Sequence, residues 1–415
     1  MLSIVLPNSN RTLLKPHVDE SGAPMRMAIF AQGIYPYSPG GMQKHSYNLA
    51  RFLAREGVQV DLYYALYPEE ASQGDLRSLL TEEEAANITL TQVERPRTPY
   101  FPGHFILNSY QLSKAIYAAF APTAAGVDFI YAQGFAGWEA IRQRKAGADV
   151  PPIGVNFHGL ESYQKTASPL RLLQHLMLRP FIAYNIRSAD YGLSLGGGLT
   201  RILNDVGLSP PRIIRSPNGI PPDWQHENDQ TTTDDALTFL FVGVYHRRKG
   251  VQELQQALRA LPPDVHFSFE FVGKIPEKYR LALPRIRYLG FVDEDELRAA
   301  FRRADVLVCP SYSEGMPTVI LEAMSSETAV IATQVGAVDE LVNDRNGWLV
   351  PPGDERALRN ALLTALQAEP AVLARMKREG AVHARSFHWD AVAQTTLQGI
   401  KEKLNASAAV QRSTV

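Results

Sequence analysis

The chain has 415 residues, with 42 Lys and Arg against 43 Asp and Glu, a net charge of −1, and one cysteine. That length is too great for one compact core and points to two or three domains. The balanced charge excludes a broad basic footprint for nucleic acid, the 45% hydrophobic content excludes general disorder, and a lone Cys309 excludes a disulfide framework or a thiolate metal site. No uncharged apolar run is long enough to span a membrane, and the N-terminus lacks the basic-then-apolar pattern of a secretory signal. A cytoplasmic setting is the expectation.

Residues 1–24 have no period and read as a loose extension. Residues 25–30 read as a short apolar strand, followed by a Gly/Pro-rich loop over 32–41. Met42, His45, Leu49, Phe52 and Leu53 then recur at helical spacing. Gly57 ends that helix, and residues 58–63 alternate as a strand does. Strand, glycine loop, helix and strand make the unit of a parallel α/β layer. Residues 60–125 otherwise offer no usable motif. Residues 127–131 and 153–157 read as strands, 170–188 as a helix bent near Pro180, and 191–194 and 212–215 as the last strands of the first half.

The run 227–235 is wholly polar and reads as a solvated link. A second α/β layer opens at 237–242 and continues through strands at 267–272, 286–289, 306–309 and 329–332. Two Rossmann-like domains are predicted, 25–220 and 221–385. Residues 386–415 are expected to form a helix that crosses back to the first domain, then a tail.

Ligands of open α/β sheets sit at the carboxyl ends of strands, so the loops there are candidates. Gly40 and Gly41 open a helix, where backbone can approach a phosphate; a plain turn explains them equally well when taken alone. No GxGxxG follows any strand, and Gly196-Gly-Gly198 lacks that spacing, which disfavours a dinucleotide oxidoreductase. His158 follows an apolar strand. Arg247-Arg248-Lys249 stands at the positive end of a helix, an unfavourable place that an anion would relieve. Pro317 suits a first helical position, so the backbone from Gly315 to Thr318 would face an anion or a hydroxyl, with Glu314 in the loop. Glu322 lies in the helix amid apolar neighbours, and a buried carboxylate needs partners. Asp293-Glu-Asp295 has the form of a metal-binding pair, but its place before a helix favours capping.

The run Glu314-Gly-Met-Pro-Thr-Val-Ile-Leu-Glu322 resembles the E-x7-E signature of retaining glycosyltransferases of the GT-B fold, family 4. Other segments along 27–395 resemble the family in the same order. They are Pro39-Gly-Gly41, Phe157-His-Gly159, Ser216-Pro-Asn-Gly-Ile220, Gly243 to Gly250, Val335-Gly-Ala-Val-Asp-Glu340 and Asn346-Gly-Trp-Leu-Val350. The sequence departs from the pattern at Val244, Met316 and Ala337, which bears on donor identity.

The resemblance implies a GT-B fold, two Rossmann-like domains facing each other across a cleft. The acceptor would bind on the N-terminal side and a nucleotide-sugar, UDP-hexose or GDP-mannose, on the C-terminal side. It implies catalytic roles for His158, Glu314, Arg248 and Lys249. Donor binding would fall to Gly40, Gly41, Gly243, Arg248, Lys249, Glu314, Gly315, Met316, Pro317, Thr318 and Glu322, with the ribose on Glu322. It further implies hexosyl transfer with retention to a glycan or lipid-linked acceptor, in cell-envelope or exopolysaccharide synthesis. No metal or other cofactor is expected, because Arg248 and Lys249 can neutralise the diphosphate. The competing readings are a catalytically silent sugar-nucleotide-binding scaffold and a GT-B hydrolase or epimerase.

Arg171, His175 and Arg179 share one helix face, beside Leu172, Leu173, Leu176, Met177 and Phe181. A basic strip next to an apolar one can lie on an anionic membrane. Weak peripheral contact at the inner face of the membrane is one expectation; a helix packed on the sheet with its cations merely solvated is the other.

Overall fold

The structure is a computed structural model and describes residues 24–38, 40–71, 74–101, 103–225 and 236–413. The readings made for residues 1–23, for Pro39 and for the polar link 227–235 lie outside the described residues.

Two parallel sheets carry the fold. The first holds β1 (Arg26–Ala31), β2 (Gln59–Leu66), β3 (Ile88–Glu94), β4 (Phe129–Gln133), β5 (Ile153–Asn156), β6 (Tyr191–Ser194) and β7 (Ile213–Arg215), in the order β3-β2-β1-β4-β5-β6-β7. The second holds β8 (Leu237–Val242), β9 (Phe267–Val272), β10 (Ile286–Gly290), β11 (Val306–Cys309), β12 (Ala329–Thr333) and β13 (Gly347–Val350), in the order β10-β9-β8-β11-β12-β13. Every pairing is parallel. A parallel sheet has helices on both faces, so its inner strands are apolar throughout. β4, β11 and β12 are accordingly buried at every residue, and Cys309 is an inert member of β11.

Each sheet reverses its strand order once, between β1 and β4 and between β8 and β11. Such switch points open a crevice at the carboxyl ends of the strands. The loops after β1, β5, β8 and β11 are the ones that carry the candidate site residues.

β3 and the His104–Phe120 helix were not foreseen in the sequence. β3 is an edge strand whose side chains alternate only loosely between buried and exposed. The helix has apolar residues on nearly every face, with Phe105 and Leu107 left exposed, so it shows no clean stripe.

The chain passes between the domains twice. Residues 216–221 run beside 387–389, with Ile220 N–H donating to the Phe387 carbonyl at 2.9 Å and Trp389 N–H to the Ile220 carbonyl at 3.2 Å. Gly219 must lack a side chain, because a Cβ there would strike the Trp389 ring. The Trp389–Ser413 helix then lies on the first domain, burying Val392, Ala393, Leu397 and Ile400 among residues of β1, β2 and the Gly41–Arg55 helix.

The Gly196–Gly198 run also meets the second domain. Gly197 N–H donates to Glu340 at 2.8 Å, Arg215 pairs with Glu340 at 2.9 Å, and Arg201 pairs with Asp339 at 3.0 Å. These glycines serve close domain approach.

Candidate functional site

The Gly41–Arg55 helix begins at Gly41, with Gly40 as its N-cap at φ 146°. The Thr318–Ser325 helix begins one residue later than the sequence suggested, with Pro317 as its N-cap. The two helix starts face each other. Between them lies a cavity of about 310 Å³, into which His158, Arg248, Lys249, Glu314, Gly315 and Thr318 project, with Gly41, Met316 and Pro317 in its wall. An adjoining cavity of about 160 Å³ shares Gly41 and Thr318 and adds Lys44 and Glu322. Of the candidate residues, Gly40 and Gly243 line neither cavity. Gly243 instead leaves room for the Phe241 ring.

Glu314 is buried and fully engaged. Lys249 Nζ lies 2.6 Å from one carboxylate oxygen, Arg248 Nη1 lies 3.1 Å from the other, and the Ser311 hydroxyl donates at 2.8 Å. Burial pushes this carboxyl up, but Lys249 and Arg248 outweigh it and hold it below the usual carboxylate range. The row of three cations thus finds its anions within the chain. Arg247 goes to Glu253 at 2.5 Å and away from the cavity, while Arg248 and Lys249 share Glu314. Glu322 is half-buried. Desolvation pushes its carboxyl up, against the opposing pull of Lys44 and a hydrogen bond with Thr318.

The Glu314–Met316 loop is clamped from the other domain. Gln164 Nε2 donates to the Glu314 carbonyl at 2.6 Å and its Oε1 accepts from Glu314 N–H at 3.3 Å. Asn218 Nδ2 donates to the Met316 carbonyl at 2.6 Å. Behind the loop, Gly336 adopts φ +55°, and a Cβ there would collide with the Glu314 carbonyl.

His158 stands in the left-handed region at φ +51°, held by its N–H bond to Asn156 Oδ1 at 2.7 Å. Its Nε2 meets Gln133 Oε1 at 2.5 Å. Burial, and then the neighbouring His45, push its pKa well below the usual value, so His158 is neutral near pH 7.

His158 is backed by a buried polar chain in which every proton can be placed. Asn218 spends its Nδ2 on Met316, so its Oδ1 must accept from His45 Nδ1 at 2.9 Å. Burial lowers the His45 pKa to about 4, only partly opposed by the Asn218 bond. The ring is therefore neutral, and its Nε2 accepts from the Tyr131 hydroxyl at 3.0 Å. The Tyr131 oxygen accepts from Asn156 Nδ2 at 2.8 Å and from Ser216 at 3.0 Å. Thr396 of the last helix donates to Ser216 at 3.2 Å. In the sequence His45 reads only as a helical-period position, and Tyr131 and Asn156 only as strand residues. The available signals were a histidine where a helix wants an apolar group, and an Asn ending an apolar strand. Gln164 and Glu161, the latter 3.6 Å from Arg248, gave no signal.

Two other sequence readings meet the structure here. Asp293 caps the Glu294–Arg303 helix, accepting from Glu296 N–H at 2.8 Å. Of the basic strip of the Pro169–Ser188 helix, Arg171 is exposed and His175 and Arg179 are half-buried. Arg171 Nη2 lies 3.1 Å from His246 of the second domain, Arg179 Nε donates to the Ser162 carbonyl at 2.8 Å, and His175 turns with Arg171 toward Arg248. Arg179 thus satisfies a carbonyl of the loop before the helix. Leu170, Leu172, Leu173 and Leu176 are exposed as well.

Two facing Rossmann-type domains, with an acidic–basic cluster at the mouth of the second, define a protein of the GT-B class. Residues 39–224 match glycosyltransferase family 4, and residues 236–368 match the glycosyl transferases group 1. The chain belongs to the GT-B glycosyltransferases of family 4. It is 34% identical over 172 residues to a D-inositol 3-phosphate glycosyltransferase of Arthrobacter, a stretch that is 38% of this chain and 41% of that one. The chain thus spans under half the length of the first curated relatives it matches. Among solved structures, a sucrose-phosphate synthase from Thermosynechococcus elongatus matches with a TM-score of 0.73 at 22% identity, over 92% of this chain and all of that one. An Anabaena HepE in complex with UDP matches with a TM-score of 0.64 at 18% identity, over 91% of this chain and 100% of that one.

Proposed function

We propose that this chain is a retaining hexosyltransferase that moves a sugar from UDP-hexose or GDP-mannose to a glycan or lipid-linked acceptor, in cell-envelope or exopolysaccharide synthesis. The observation that carries the reading is the Glu314–Lys249–Arg248 cluster at the start of the Thr318–Ser325 helix. Arg248 and Lys249, with Glu314 and Glu161 as their anions, stand beside a helix N-terminus, where a diphosphate is favoured. The HepE structures with UDP and UDP-glucose lend support to a nucleotide-sugar donor.

As the glycosidic bond breaks, negative charge grows on the departing diphosphate. Arg248 and Lys249 lie where they can meet it. A unit charge pair at ~4 Å is worth about 4 kcal/mol at an effective dielectric near 20. With two such cations in place the reaction needs no metal. Glu314 holds both cations before the donor arrives, so the charges are already oriented when the bond breaks. The neutral His158 offers a hydrogen-bonding group beside the sugar without repelling a developing oxocarbenium ion. Retention implies attack from the face of the leaving group, with a donor phosphate oxygen taking the acceptor proton. The protein acts at its inner membrane face through weak peripheral contact.

The test is a thermal-shift panel of UDP- and GDP-sugars, followed by NMR of the first product formed with the sugar that stabilises. A ligand at 100 times its dissociation constant adds about 2.7 kcal/mol. A shift with one of them and a retained anomeric configuration support the reading; no shift with any of them, or an inverted linkage, overturns it.

A further inference from the structure

Away from the cleft, a trough of about 1240 Å³ runs along the first domain between the His104–Phe120 and Pro169–Ser188 helices. Tyr100, Phe101, Phe105, Trp138, Met177 and Phe181 are among the residues of its wall. Sixteen large apolar side chains stand exposed among the described residues, and eleven of them belong to these two helices and the turn before the first. Tyr100 is 88% exposed, Leu170 67% and Met177 58%. Leu170, Leu173, Met177, Phe181 and Tyr184 recur at three- and four-residue spacing, one stripe on the outer side of the helix. A contiguous patch of this kind marks an interaction surface.

Three polar groups of the wall are engaged within the protein. Tyr110 donates to Glu139 at 2.9 Å, Arg142 pairs with the same carboxylate at 2.9 Å, and His104 Nδ1 meets the Phe101 carbonyl at 2.9 Å. The Gln174 amide and the Tyr100 and Tyr184 hydroxyls are further polar groups of a wall that is mostly hydrocarbon, which suits an acyl chain better than a sugar or a peptide.

Charge selects among apolar occupants. The three helices around the trough, the third being Trp138–Lys145, carry seven Lys and Arg. Against these stand the buried Glu139, paired with Arg142, and Asp190 just past the Pro169–Ser188 helix, which pairs with Arg144 at 2.9 Å, so five cations keep no ion pair among the described residues. Bonds to backbone carbonyls orient Arg179 and Arg187 without neutralising them. The face is apolar at its surface and positive within a Debye length beneath it, which is complementary to an anionic bilayer.

We infer that this face docks on an anionic membrane surface, with the Tyr100–Phe105 turn and the outer stripe of the Pro169–Ser188 helix inserted among the headgroups and acyl chains filling the trough. The inference deepens the proposed lipid-linked acceptor and rests on that reading only for the acceptor. The inward face of the same helix, through Arg171 and His175, borders Arg248, so docking would bring the cleft mouth to the headgroups.

The experiment is co-sedimentation of the full chain with phosphatidylglycerol vesicles and with phosphatidylcholine vesicles. The variants are Leu173→Glu/Met177→Glu and Phe105→Glu, which alter exposed positions outside the nucleotide cavities. Wild type should prefer the anionic vesicles, and each variant should bind them at least about tenfold more weakly with unchanged thermal unfolding. UDP binding by calorimetry should be the same in all three proteins, so a failed transferase reading would show separately. No binding by wild type, equal binding by wild type and variants, or a dimer in light scattering that the same substitutions dissolve would overturn the inference.

Discussion

At the scale of single residues, the cavity wall separates groups that shape it from groups that charge it. A Cβ on Gly41 would meet nothing within 4 Å and would enter both cavities. The protein itself does not require glycine there. Gly41→Ala should therefore leave the unliganded unfolding free energy within about 0.5 kcal/mol while weakening UDP binding. Glu322→Ala should do the same by removing a carboxylate placed for vicinal hydroxyls. Calorimetry with UDP alongside denaturant melts checks both, and an unchanged affinity in either variant would count against its assigned role. Lys249→Ala should cost on the order of 10²-fold in turnover, as expected for losing one preorganised donor. Wild-type activity should persist in EDTA. Abolition by EDTA, restored by Mg²⁺, would instead assign the charge work to a metal.

At the scale of elements, the chain from Thr396 through Tyr131 and His45 to the Met316 carbonyl ties two strands, the first helix, the last helix and the Glu314–Met316 loop into one unit. Its proton pattern has a pH consequence. His45 has a folded pKa near 4, below its ordinary 6.5, so the unfolded chain binds its proton first as the pH falls. Its contribution to stability is whole above pH 6.5 and declines down to pH 4, by about 3 kcal/mol at 1.36 kcal/mol per unit. Denaturant melts at pH 7.5, 5.5 and 4.5 should show this loss in wild type. His45→Gln should lose less over the same range, with the remainder owed partly to His158. An identical pH slope in the two proteins would remove His45 from this role.

At the scale of the molecule, the two domains are joined by two adjacent crossings and by pairs that span the cleft, Gln164 with Glu314, Asn218 with Met316 and Glu340 with Arg215. Trp389 sits at the second crossing, 2% exposed, with its ring 5.3 Å from His45 and packed on Gly219. Trp389→Ala should destabilise the protein by about 3–5 kcal/mol, the usual cost of emptying a large aromatic site. It should also weaken UDP binding, because it loosens the segment that carries Asn218. Chemical melts and calorimetry of the one variant check both outcomes.

Local pattern was enough for the inner apolar strands of both sheets, the glycine-opened start of the Gly41–Arg55 helix, the Cys309 burial and the Asp293 cap. Each of these is written in a local pattern of period, charge or turn residue. It also located most of the cavity wall, because motifs at the carboxyl ends of strands are brought together by any doubly wound sheet. The edge strand β3 and the His104–Phe120 helix were not legible, since a half-exposed edge and an all-round apolar helix carry no clean period. Nor were the roles of Gln164, Asn218 and His45, whose partners lie from 86 to 173 residues away. That Glu314 and Glu253 are the anions of the Arg247–Lys249 row, and that the Pro169–Ser188 helix turns Arg179 onto the Ser162 carbonyl and leaves its leucines out, emerges from packing alone. A side chain's direction on a helix is fixed by which face the neighbouring layer covers, and that layer comes from elsewhere in the chain.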